Sequence, residues 1–190
     1  YTPSAREIFM HQRAYAATVL ERAGMTDCNP AATPASAAYR YTKQDFAGTD
    51  DARASLAARG LTRAWYHTVC ASLNFLVCIT REDMRFAQGK NAKFCADPGP
   101  THFKQLKHQL RFLKGTLGYG VLFQWSADSP PPPDGPLKLE AWSDSSYADD
   151  VDTARTTLGG LCKANGATVT AYSKLTTRVD SCVNHSELHA

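Results

Sequence analysis

Long hydrophobic runs are missing from this 190-residue sequence: the longest is Phe75–Ile79. That is far short of the roughly 18 apolar residues a membrane-crossing helix needs, so no membrane partner is expected. No CxxC pair occurs among the six cysteines, Cys28, Cys70, Cys78, Cys95, Cys162 and Cys182, and the chain has no signal-like start. Zinc ribbons and disulfide scaffolds both need tighter spacing, so reduced, structural thiols in an intracellular, non-secreted protein are expected. A Gly-rich phosphate cradle and a GxSxG nucleophile turn are also absent, as is any internal repeat. Acidic residues are missing over one stretch, Pro98 to Ala127.

What is present is ordinary globular composition, 43% apolar and 21% charged residues, which argues against a disordered chain. The length suits one large domain or two small ones. A net charge of +3 names no partner, but its distribution is uneven. Lys104, Lys107, Arg111 and Lys114 fall in the acid-free stretch, and the balance reverses after Trp142 through Asp144, Asp149, Asp150 and Asp152. The chain begins at Tyr1 without methionine and stops at Ala190 inside what reads as a starting helix, so a fragment of something longer is expected.

The four consecutive prolines within Ser126–Pro136 preclude helix and sheet interior and favour an extended spacer. They divide the chain into a mainly helical region (1–126), a Pro-rich linker (127–136) and a strand-rich region (137–190). In the first region, Gln12 to Ala23 predicts a helix stopped by Gly24, Cys28 to Asp50 a loop, and Leu61 to Val77 a helix buried on more than one face. Thr101 to Lys114 is the most regular element. Phe103, Leu106, Leu110 and Leu113 recur at helical spacing, and the four basic residues repeat it one position later, about 100° round the helix. A solvated face and a nucleic-acid contact both fit that basic stripe. In the second region, Leu137 to Trp142, Thr156 to Lys163 and Ala167 to Ser173 predict strands, the last two joined by Asn165-Gly166, a strong hairpin signal. A helix is expected to begin near Asn184. The order of elements suggests an α/β unit seen in its first half, α+β for the chain overall.

Asp144 ends a predicted strand, where a carboxylate can face a cleft, and Glu187 falls in the first turn of the last helix. Oxygen ligands of this kind suit hard divalent cations such as Mg2+. Each has a plainer reading: a turn aspartate for Asp144, and for Glu187 a capping box with Asn184. Asp150-x-Asp152 does not begin a calcium loop, because Arg155 and Leu161 stand where that loop needs Gly and Glu. His185 and His189 are spaced i, i+4, but Glu187 points away from both, so a surface pair is expected rather than an HExxH zinc site.

Several segments resemble one family. Tyr66-His-Thr-Val-Cys-Ala-Ser-Leu-Asn-Phe-Leu-Val-Cys-Ile-Thr-Arg-Glu-Asp-Met-Arg-Phe-Ala87 resembles Y-x-x-x-V-G-S-L-x-Y-L-x-x-x-T-R-P-D-I-x-F-A of the Pol polyproteins of copia-type LTR retrotransposons. Arg111-Phe-Leu-Lys-Gly-Thr-Leu-Gly-Tyr-Gly120 is similar to that family's R-Y-L-K-G-T-x-x-Y-G. Ser143-Asp-Ser-Ser-Tyr-Ala-Asp-Asp-Val-Asp-Thr-Ala-Arg-Thr-Thr-Leu-Gly159 is similar to S-D-A-D-W-A-G-D-x-D-D-R-R-S-T-S-G. Ser173-Lys174 and Asn184-His-Ser-Glu-Leu-His-Ala190 match S-K-K and T-E-A-E-Y-V-A, and Gln12-x-x-Tyr15 and Thr33-Pro34 are similar to upstream segments. Nearly the whole chain is covered, in the family's order.

The resemblance implies the end of reverse transcriptase, a connection-like region, followed by a truncated ribonuclease H-like mixed sheet with helix. It implies Asp144 and Glu187 as the first two metal-bridging carboxylates. The complete domain would use two Mg2+ ions to hydrolyse RNA in an RNA/DNA hybrid, with the remainder of the Pol polyprotein as partner. By the same resemblance, the polymerase Y-V-D-D motif would precede Tyr1 and two more carboxylates would follow Ala190, leaving neither active site complete. Departures at Ala71, Glu82, Ser146 and Tyr147 suggest a diverged copy. A catalytically inactive nucleic-acid-binding remnant is the alternative.

Overall fold

A computed structural model describes residues 7–37, 42–124 and 136–188. Except for Pro136, the proline spacer lies outside the described residues, as does His189. The chain forms two units. A helical unit holds Gln12–Ile79 and Asp83–Gly118, and a sheet unit holds Tyr1–His11, Thr80–Glu82 and Tyr119–Ala190.

In the helical unit, α1 (Arg13–Arg22) presents Ala16, Val19 and Leu20 to the core. It stops where Gly24 adopts φ +66°, letting the Met25 N–H reach back to the Leu20 carbonyl. α2 (Asp50–Ala58) is a helix beyond those expected. Its signals are in the sequence: Thr49 caps the Ala52 N–H at 3.2 Å, Asp50 and Asp51 sit in the first turn, and Gly60 follows the end with φ +72°. α3 (Arg63–Ile79) corrects the expectation of a helix buried on several faces. Its buried residues, Tyr66, Val69, Cys70, Leu73, Leu76 and Val77, follow one i, i+3, i+4 stripe, while Phe75 is exposed and meets Tyr15 edge-on at 5.1 Å. α4 (Arg85–Ala92) and α5 (Pro100–Gly115) complete the unit.

The apolar stripe of α5 is buried as the spacing predicts, with Phe103, Leu106, Leu110 and Leu113 in the core cluster. Burial extends further round this helix than the apolar residues do. His102, Gln105 and Gln109 are buried too, each with a polar partner. Asn91 Nδ2 donates to Gln109 Oε1 at 2.7 Å, and Gln105 Nε2 donates to the Ser36 carbonyl at 3.3 Å. The His102 ring accepts from the Gly99 N–H at 2.9 Å through Nδ1, so Nε2 carries the proton shared with the Thr42 carbonyl at 2.9 Å. That neutral ring stacks on Phe94 at 4.0 Å. Glycine is needed at position 99 because a Cβ there would overlap the Asp45 carbonyl.

In the sheet unit, β1 (Glu7–Met10) pairs antiparallel with β2 (Val121–Gln124), a two-stranded ladder the sequence reading did not anticipate. β3 (Leu139–Ser146), β4 (Thr157–Ala164) and β5 (Ala167–Leu175) form a three-stranded antiparallel sheet in that order. The Asn165-Gly166 hairpin is borne out: φ is +47° and +80°, the left-handed pair of a type I′ turn. Asn165 also ties the turn to the start of β3, accepting from the Lys138 N–H at 2.9 Å. A register shift between Cys162 and Lys163 places a bulge in the hairpin. The Tyr172 ring lies over Gly160, its cross-strand partner, where a Cβ would overlap the ring. Little of this sheet is buried, and Trp142, Val169 and Tyr172 are exposed. The short α6 (Val183–Glu187) packs against β3. Helices and antiparallel strands together make the chain α+β, as expected.

Candidate metal and nucleic-acid sites

Asp144 lies on β3 opposite Gly159 and is exposed. Glu187 is the last residue of α6, and it too is exposed. The helix is held to the strand by hydroxyls: Ser145 Oγ lies 2.9 Å from Ser186 Oγ and donates to Glu187 Oε1 at 2.7 Å. Glu187 is thereby brought to the residue that follows Asp144, although 43 positions separate the two carboxylates in sequence. The capping-box reading of Glu187 is overturned. The N-cap is Cys182, so Asn184 is already inside the helix, and the Glu187 carboxylate is turned to Ser145 rather than to a helix N–H.

Two carboxylates offset only half the charge of two divalent cations. Among the described residues no group of three or more His, Cys, Asp and Glu could hold a metal ion. The described residues therefore do not by themselves fit a two-ion centre. The other acidic cluster is occupied with its own loop. Asp149 Oδ1 accepts from the Thr157 N–H at 2.8 Å, and Asp150 Oδ1 from the Asp152 N–H at 3.0 Å in an Asx turn. His185 Nδ1 lies 3.6 Å from the buried carboxylate of Asp180.

The basic stripe lies on the side of α5 away from the core. Lys104 is exposed, and Lys107, Arg111 and Lys114 are partly so. Its members are not equivalent. Arg111 Nε donates to the Asn29 carbonyl at 2.7 Å and its Nη2 to the Pro30 carbonyl at 3.5 Å, pinning the 29–31 loop to the helix. Charge is segregated more sharply than the sequence stretches suggested. The helical unit carries fourteen basic and seven acidic residues, a net +7, against +3 for the whole chain.

The cysteines are all free. The Cys70 thiol is pushed well above its ordinary range by a hydrogen bond with Cys95 and by burial, which keeps it protonated and inert. Among the described residues no helix is long and apolar enough to cross a membrane.

The fold is an α+β chain of a basic helical unit and a hairpin sheet with one short helix packed on it, and its relatives narrow what it is. Over 172 residues, 90% of this chain, it is 27% identical to the Retrovirus-related Pol polyprotein from transposon TNT 1-94 of Nicotiana tabacum. Over 152 residues, 80% of this chain, it is 26% identical to the Pol polyprotein from transposon RE2 of Arabidopsis thaliana. A 109-residue stretch is 37% identical to Secreted RxLR effector protein 161 of Plasmopara viticola, covering 57% of this chain and 71% of that protein. No protein-family model and no solved structure matches. Over most of its length the chain is thus similar to retrotransposon Pol polyproteins of the copia type, as a fragment of such a protein would be. It spans 12% and 9% of the two Pol polyproteins.

Proposed function

We propose that this stretch of Pol grips an RNA/DNA hybrid with its helical unit and contributes Asp144 and Glu187 to hydrolysis of the RNA strand by the complete ribonuclease H domain. In the whole polyprotein that activity accompanies RNA-templated DNA synthesis, and divalent metal would supply the Lewis acidity. The observation that carries the reading is the packing of α6 on β3, which brings Glu187 to Ser145, the strand neighbour of Asp144. The +7 charge of the helical unit supports the grip, because neutralised phosphates release counterions and drive binding. In a longer stretch of the polyprotein, Asp144→Asn and Glu187→Gln should each abolish cleavage of a labelled hybrid in Mg2+ while hybrid binding persists. A well-folded, hybrid-binding protein that never cleaves in Mg2+ or Mn2+ would refute the enzymatic reading.

The Ser145–Glu187 hydrogen bond also favours a second reading, a catalytically inactive nucleic-acid-binding remnant in which Glu187 only fastens α6 to the sheet. Glu187→Gln separates the two, because glutamine keeps an acceptor for Ser145 and removes the charge.

A further inference from the structure

A cavity of about 470 Å³ opens in the helical unit, outside both candidate sites. Its apolar wall is Leu56, Leu61, Pro98 and Phe103, and its polar rim is Arg53, Arg63 and Asp97. The rim is ordered by one ion pair. Arg53 Nε and Nη2 donate to the two Asp97 oxygens at 3.2 and 3.1 Å, and Nη1 donates to Asp50 at 3.0 Å. Both Asp97 oxygens thus face Arg53, and the hydrogen bonds from that guanidinium hold the Asp97 carboxyl below the usual range, with a smaller contribution from the Arg63 charge. Arg53 is taken up by Asp97 and Asp50, so Arg63 is the lining cation left to meet an anion, and the volume falls in the range of small-molecule sites, about 300–1,000 Å³. A flat ring whose face can rest on apolar side chains, joined to one anionic group, matches such a lining, and a nucleotide has that form.

We propose that this cavity is a nucleotide subsite, the base against Leu56, Leu61 and Pro98 and the phosphate at Arg63. The inference rests on the proposal that the helical unit holds nucleic acid. Continuity along α5 supports it: Phe103 lines the cavity and the next residue, Lys104, begins the basic stripe. A strand with one nucleotide in the cavity can run its phosphates onto Lys104 and Lys107. The other occupant of comparable chemistry, an apolar peptide bearing a carboxylate, would not gain from that stripe of cations.

The test is calorimetric titration of the 190-residue chain with AMP, adenosine and inorganic phosphate. AMP should bind saturably and more tightly than either half. Ala57→Trp, an exposed helix position on the cavity wall, should abolish AMP binding by filling the space. Arg63→Gln should weaken binding about tenfold or more, the loss of one charged contact, and Ala54→Ser, on the same helix but outside the cavity lining, should leave it unchanged. Circular dichroism of each variant confirms that it folds. Equal AMP binding by the Ala57→Trp and parental chains overturns the assignment, as does phosphate binding as tight as that of AMP. So does saturable binding of an acidic apolar peptide with none of AMP. The stripe is read separately through the salt dependence of hybrid binding. Hybrid binding without AMP binding therefore refutes the subsite alone, and AMP binding without hybrid binding refutes the grip on which it rests.

Discussion

Replacing Lys104, Lys107 and Lys114 together with glutamine tests the basic stripe while leaving in place Arg111, which pins the 29–31 loop. The Cα atoms of Lys104 and Lys114 are about 15 Å apart along α5, and one strand of a duplex presents a phosphate every 3.4 Å or so along its axis, so the stripe is long enough for one phosphate per cation. If all four basic residues neutralised phosphates, log K would fall against log[salt] with a slope of about −3.6. The structure lowers that expectation. Arg111 is committed to the Asn29 and Pro30 carbonyls, so one phosphate for each of the three lysines gives a slope of about −2.7 from the stripe. Between 50 and 200 mM salt this amounts to a loss of affinity of roughly 40-fold. Fluorescence anisotropy with a labelled RNA/DNA hybrid over a series of KCl concentrations measures the slope directly. The triple variant should flatten it by about 2.7, whatever other contacts remain. Arg111→Gln should barely change the slope and should lower stability by about 1 kcal/mol, since the Asn29 and Pro30 carbonyls lose a charged donor at an exposed site. An unchanged slope in the triple variant would show that the stripe is a solvated face. A full unit lost with Arg111→Gln at unchanged Tm would show that the loop contact has been misjudged.

Gly160→Ala should cost the sheet unit about 1–3 kcal/mol by driving a methyl into the Tyr172 ring, and Tyr172→Thr in the same chain should recover most of the loss in urea melts. Gln109→Leu strands the Asn91 Nδ2 donor and should cost about 1–3 kcal/mol. Adding Asn91→Leu should cost less than the sum of the single changes, because Asn91 Oδ1 and Gln109 Nε2 are already buried without partners; simple additivity in a double-mutant cycle would contradict this. The Arg53–Asp97 pair makes stability depend on acid. Its hydrogen bonds lower the folded-state pKa of Asp97, so its contribution is present above the unfolded carboxylate value, about 3.9, and is lost as pH falls through the lower folded value. The Tm gap between the parent chain and Asp97→Asn should therefore be widest above about pH 4 and close below it; a gap independent of pH would refute the assignment.

Local rules carried the reading of this chain a long way. The buried face of α5, the stop at Gly24 and the hairpin at Asn165-Gly166 follow from helical spacing and from the left-handed backbone that Gly and Asn tolerate, so the sequence alone determined them. So did the resemblance to copia-type Pol, which rests on motif order and which the relatives bear out. Tertiary structure decided what depends on partners distant in the chain. The buried amides of α5 read as surface residues in any periodicity argument, and their burial became visible only with Asn91 and Ser36 in place as partners. The β1–β2 ladder joins segments more than a hundred residues apart, and no local pattern announces it. Arg111 reads as one of four equal cations until the 29–31 loop folds against it. Glu187 looked like a cap because spacing within a helix cannot reveal a hydroxyl on another element; only the packing of α6 on β3 put Ser145 within 2.7 Å of its carboxylate.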